Sequence, residues 1–183
     1  MAIGIILIIR LAIPLLILRR PFWGMVAAVL ADGADMEFLK LLGPQFDSSF
    51  AINFEDYQHR DKLLDIYMSS LALYSSLAWS EALARRTNLA LYLWRFLGVV
   101  LFELTNVRVI LLYFPNLFEF FFLFYAYTRE YRADFRILNF KRLALILFIL
   151  LIPKLGEEYL LHVLEARPWV YIKHDVLGWP HEF

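Results

Sequence analysis

Apolar residues run through this chain in long, nearly unbroken blocks rather than in the short stripes of a water-soluble fold. Blocks at 3–18, 22–42, 61–79, 89–105, 109–127 and 138–153 approach the length of about 20 helical residues that crosses a hydrocarbon core of roughly 30 Å. Backbone groups inside lipid have no water to bond, so such segments must be helical. Their continuous apolarity does not match the alternating pattern of a membrane barrel. The pattern therefore predicts an all-α polytopic bundle of six spans. No linker, low-complexity stretch or internal repeat divides it, so residues 1–183 read as one integral membrane domain.

Two ends of the pattern need separate treatment. The first 18 residues look superficially like a signal sequence, but Arg10 interrupts the apolar core, no cationic start precedes it and no small-x-small site follows, which predicts a retained span. After Pro153 and Gly156 the character changes. Tyr159, Leu160, Val163 and Leu164 recur at helical spacing beside charges, which predicts an interfacial helix followed by a Trp-rich tail over 155–183.

Composition adds exclusions. Hydrophobic residues make up 61% of the 183, and the formal net charge of zero gives no reason to expect a nucleic-acid partner. Cysteine is absent, which removes disulfides, thiolate metal sites and thiol nucleophiles. The four histidines, His59, His162, His174 and His181, show no paired spacing within the spans, so neither haem nor zinc is expected. No Gly-rich phosphate loop or serine elbow is present.

The distribution of charge is more informative than its sum. One set of loops carries Arg19, Arg20, Arg85, Arg86, Arg129, Arg132, Arg136, Lys141 and Arg142 against only Glu81, Glu130 and Asp134. By the positive-inside rule these loops are cytoplasmic, and both termini with most of the acids face away from the cytoplasm.

Among those acids, four aspartates form two pairs. Asp32 and Asp35 lie three apart in the second span, and Asp61 and Asp65 lie four apart at the start of the third. Residues at these spacings share a helix face. Two carboxylates on each of two helices can enclose a hard cation such as magnesium, which neutralises their repulsion and can hold a diphosphate. The competing account is that they mark helix ends in the headgroup region, with Asp61 favoured by the helix dipole.

At these residues the chain resembles the CDP-alcohol phosphotransferases. Their signature places Asp-x2-Asp-Gly-x2-Ala-Arg at the end of the second of six spans and Gly-x3-Asp-x3-Asp at the opening of the third. Asp32-Gly-Ala-Asp35 supplies the first pair, Lys40 falls where the family has Arg, and Asp61-Lys-Leu-Leu-Asp65 supplies the second, over roughly the first 80 residues. Met36 stands in place of the Gly, Leu39 in place of the Ala, and the gap between the pairs is longer than the pattern. A second alignment sets Asp61 on the family's last aspartate. The resemblance implies a magnesium or other divalent site at Asp32, Asp35 and Asp61, Asp65 as base on an acceptor hydroxyl, Lys40 on the diphosphate, and a CDP-linked lipid or alcohol as substrate. It reads as a divergent relative, with or without transferase activity.

Four further polar residues, Arg10, Arg95, Glu103 and Glu119, sit in apolar surroundings and are expected to face the bundle interior and pair. Structural ion pairs and an arginine contact to substrate phosphate are both open readings. The aromatics of FPNLFEFFFLFYAY suit helix packing, lipid contact or a face between subunits, with Pro115 and Asn116 set to kink the span. Two functions follow: a metal-dependent enzyme of lipid metabolism, or a non-enzymatic membrane protein such as a transporter or subunit of a larger complex. Membrane lipids are partners in either case, and a homo-oligomer is compatible with both.

Overall fold

A computed structural model describes residues 2–46, 54–107, 109–132, 134–137 and 139–162, with the side chains of 2–4, 35–46, 54–61, 157, 158 and 160–162 outside the description. The described residues are all helices and turns, with no strand among them. α1 (Ala2–Ala12) runs directly into a 3-10 segment (Ile13–Leu18), followed by α2 (Pro21–Phe46), α3 (Phe54–Ser76) and α4 (Ala82–Thr105). Then come the short α5 (Ile110–Tyr113), α6 (Leu117–Tyr131) and α7 (Phe140–His162). Two stretches are long and apolar enough to cross a membrane, Ala82–Thr105 and Ile110–Tyr131, and Ile5–Leu18 and Pro21–Ala34 are shorter apolar helices.

Local chemistry explains the breaks. Pro14 has no N–H to give the carbonyl four residues back, and the α-helical ladder yields to 3-10 geometry at Ile13. The Leu11 carbonyl at this transition accepts a 3.0 Å hydrogen bond from the Tyr67 hydroxyl, tying α1 to α3. The backbone amides of Arg19 and Arg20 both close on the Leu16 carbonyl, at 3.0 and 2.8 Å, and Pro21 then starts α2 where a missing N–H costs nothing. Gly24 lies so close to the Leu16 and Ile17 backbone that a Cβ would overlap it. That glycine is what lets α2 lie directly on the 3-10 segment.

Later in the chain, α4 stops where Asn106 adopts the left-handed conformation at φ 55° and returns its N–H to the Phe102 carbonyl. The stretch expected as one kinked span over 109–127 is a single turn, α5, then a break at Phe114–Asn116, then α6. Pro115 has no N–H for a continuing ladder, and its carbonyl instead accepts from Leu117 at 2.7 Å. α7 continues through Pro153 to His162. The first part of the segment expected as an interfacial helix is thus an extension of α7, and 163–183 lies outside the described residues.

The core gathers on α6. Phe118, Phe121, Phe122 and Tyr125 are buried with Trp79, Met25, Ala28, Met68, Ala72 and Ile17. Trp79 stands 4.3 Å from Tyr125 and 5.5 Å from Phe122, ring centroid to centroid. Burying an aromatic or aliphatic side chain of this size contributes about 1.5–3 kcal/mol, so this face of α6 is the main adhesive of the bundle. Ile8, Leu30, Leu104, Phe140, Phe148 and Ile152 point outward instead, all more than half exposed.

Candidate functional site: a charged cluster between the first three helices

Three rows of buried positions converge on the cluster. On α1 and its 3-10 extension the row is Ile6, Arg10, Pro14 and Ile17; on α2 Asp32 continues the row of Met25 and Ala28; on α3 Asp65 opens the row of Met68, Ser69, Ala72 and Ser76. These intervals of three and four place each charged residue on the inward stripe of its helix. At about 1.5 Å per residue, Arg10, Asp32 and Asp65 all stand roughly 15 Å from the turns that join their helices, at one height in the bundle.

They meet there. Arg10, only 5% exposed, forms an ion pair with Asp32 Oδ1 through Nη2, and the same nitrogen lies 3.5 Å from Asp65 Oδ1. The other carboxylate oxygen of Asp65 accepts from Lys62 Nζ at 3.2 Å, one turn earlier on α3. Two acids on different helices are balanced by two cations of the chain itself. A buried guanidinium presents donors in a planar fork, which suits it to bridging two carboxylates.

Asp32 and Asp65 therefore converge on one cation, and that cation is Arg10. Asp65 uses both oxygens on Arg10 and Lys62, and Asp32 uses Oδ1 on Arg10. In this arrangement the Arg10 guanidinium occupies the space between the two carboxylates. The side chains of Asp35, Lys40 and Asp61 lie outside the described residues. Among the described residues, no three acid, histidine or cysteine side chains are grouped as metal ligands.

The other polar residues singled out from the sequence fall on the second half of the bundle. Arg95, buried on α4, donates from Nη1 to the Phe114 carbonyl at 2.9 Å. It thereby satisfies a backbone group freed at the break before α6. Glu119 accepts from Asn116 Nδ2 at 2.9 Å, an interaction that closes the first turn of α6 over the same break. Glu103 is half-buried two turns beyond Arg95 on α4. Lys154, which the apolar run of α7 conceals in the sequence, is buried with its ammonium 5.1 Å from the Phe120 ring centroid.

Sequence reasoning missed Lys62 as a partner of Asp65. The three-residue spacing of Lys62 and Asp65 in DKLLD carries that signal. It also missed Asn88, fully buried on α4 with neither amide atom hydrogen-bonded among the described residues. A single Asn in an otherwise unremarkable helix leaves no pattern to find. Comparison of the chain with family models, with characterised proteins and with solved structures finds no match to any of them.

Proposed function

We propose that the protein is a six-span integral membrane bundle of the CDP-alcohol phosphotransferase type in which an internal counter-ion has replaced metal-assisted transfer, leaving a non-enzymatic membrane protein. The observation that carries this reading is the Arg10 guanidinium between Asp32 and Asp65. Two of the acids that a transferase needs free, Asp32 for metal and Asp65 for base chemistry, are paired with cations of the chain. The membrane part of the reading is supported by the outward-facing Ile8, Leu30, Leu104 and Phe148, an exposure that water does not tolerate over a wide area and lipid does. The basic stretches Arg19–Arg20, Ser80–Asn88 and Thr128–Arg142 face the cytoplasm in this reading.

A second reading rests on one distance. The 3.5 Å separation of Arg10 from Asp65 is at the limit of a hydrogen bond, so this contact is the weaker half of the bridge. In that reading Arg10 leaves Asp65 for the diphosphate of a CDP-linked lipid, and Asp65 becomes available as base on an acceptor alcohol.

The deciding experiment supplies the purified protein with magnesium, CDP-diacylglycerol and a panel of small alcohols, and measures CMP. The counter-ion reading expects no release. Release that requires magnesium and is lost in Asp65→Asn overturns it in favour of the transferase.

A further inference from the structure

The cluster of Arg10, Asp32 and Asp65 leaves unexplained the opposite, arginine-rich end of the bundle. A cleft of about 730 Å³ opens there between the start of α2, the end of α3 and the end of α6. Arg19, Arg20 and Arg129 line it against a single acid, Glu130. Its floor is apolar or aromatic, with the buried Trp79 and Ala126. Glu130 lies 3.9 Å from Arg20, a loose pairing on a side chain that is 76% exposed. Arg19 and Arg129 make no ion pair among the described residues, and both are exposed.

Arg129 also borders a second, adjoining cavity of about 370 Å³ that holds Arg132 and Arg136 beside Glu81. Glu81 is already committed to the Ile137 amide at 2.9 Å and to the Tyr125 hydroxyl. Five guanidiniums thus face two carboxylates across the paired cavities, with Arg129 between them. Excess cationic charge in a concave wall attracts an anion, and the guanidinium fork matches phosphate oxygens in pairs.

Aromatic rings cluster at the same end of the bundle, beside the residues that line the cleft. Trp23 Nε1 donates to the Tyr131 hydroxyl at 2.6 Å, and Phe22 stands 5.3 Å from Tyr127 and 6.1 Å from Tyr131, centroid to centroid. Trp and Tyr with wet polar tips and apolar bodies collect at the headgroup level of a bilayer. Tyr74 and Leu77, on the rim of the cleft, are exposed.

We propose that this cleft is a seat for a phosphate-bearing anion, with Arg129 and Arg19 as its principal donors and the apolar floor accepting the group esterified to the phosphate. The site is separate from the acidic cluster and does not depend on whether the protein catalyses anything. The chemistry is that of a phosphate ester, and it is met either by the headgroup of an anionic lipid in the cytoplasmic leaflet or by soluble phosphate.

The full chain in nanodiscs of phosphatidylcholine, with and without a minor fraction of phosphatidylglycerol, separates these sources when thermal stability and retained lipid by native mass spectrometry are both read. A parallel arm adds inorganic phosphate to the phosphatidylcholine discs. The proposal expects a stabilising shift with one retained phosphatidylglycerol, weakened about tenfold in apparent affinity by Arg129→Gln, as befits loss of a charged hydrogen bond, and less by Arg129→Lys. Lys141→Gln removes the same charge from the same end outside the cleft and is expected to change little. A shift produced by inorganic phosphate alone and abolished by Arg129→Gln upholds the phosphate seat and assigns it to a soluble ligand. No shift with either ligand overturns the proposal, and so does an equal loss in Lys141→Gln and Arg129→Gln, which reduces the effect to diffuse charge. Folding of each variant is checked by the wild-type melting temperature in phosphatidylcholine alone.

Discussion

Phe114 packs its side chain against the bare Cα of Gly98, one turn of α4 beyond the arginine that holds Phe114's carbonyl, so that Arg95 and Gly98 grip the same residue from one helix face. The break between α5 and α6 is held by this grip. A Cβ on Gly98 would overlap the Phe114 ring system. Gly98→Ala is expected to destabilise the protein by about 1–3 kcal/mol, the usual cost of overpacking, as measured by denaturant unfolding in detergent. Phe114→Leu in the same chain keeps the overlapping Cβ and Cγ and should not recover that loss. If Gly98→Ala melts like the wild type, the packing at the break is looser than described.

The triad of Arg10, Asp32 and Asp65 makes a prediction about coupling. Arg10→Gln leaves two partly buried acids without their shared cation and is expected to cost about 2–3 kcal/mol, less than a fully buried pair because Asp32 is 35% exposed. Asp32→Asn added to Arg10→Gln should cost less than the two single changes together. A double-mutant cycle on unfolding free energies reads this directly, and strict additivity would show that the two residues do not interact.

Magnesium should leave the melting temperature of the wild type unchanged, because the carboxylates at Asp32 and Asp65 are already paired. A ligand that binds only the folded state raises stability, so the melting curve detects a metal site without any assay of turnover. A magnesium-dependent rise that disappears in Asp32→Asn would show the divalent site expected from the sequence.

Asn88→Leu tests a buried cost. Its amide is fully enclosed and lacks a protein partner among the described residues. Replacing it with an apolar side chain of similar bulk is expected to stabilise the protein by about 1 kcal/mol, since an unsatisfied polar group is removed from the interior. A marked loss of stability on that change would reveal a structural water bonded to the amide.

Topology can be read cleanly because the chain contains no cysteine. Single cysteines at Arg86 and at Gln45 should label from opposite sides of the membrane in the six-span arrangement, with the Arg86 side cytoplasmic. Labelling of both from one side ends that arrangement.

Helices were legible in this sequence wherever apolar length alone dictates them, as in the stretches that became α4 and α6. The interruptions needed a proline with a specific partner: Pro115 was visible as a kink, whereas Pro14 gave no hint of the 3-10 stretch until Leu11 and Tyr67 were seen together. Arg10 was identifiable as an inward charge because bilayer energetics forbid it elsewhere, but its partners were not. Periodicity assigns a residue to a face of its own helix and is silent about which helix lies opposite. For that reason the two aspartate pairs suggested a shared cation without disclosing that the Arg10 guanidinium of the first helix reaches Asp32 and Asp65.

The 3-10 segment also settles a question of reach. A 3-10 helix rises about 2.0 Å per residue where an α-helix rises about 1.5 Å, so the 6 residues of Ile13–Leu18 gain roughly 3 Å over the same residues wound as α. The first rod, from Ala2 to Leu18, is thereby stretched from about 25 Å to about 28 Å, close to the hydrocarbon thickness of roughly 30 Å. An apolar segment too short for a bilayer ordinarily thins the lipid around it or pulls its flanking residues inward. In the proposed membrane arrangement the longer backbone would serve that end instead, setting the turn at Arg19 and Arg20 at the membrane surface while Arg10 keeps its place beside the aspartates.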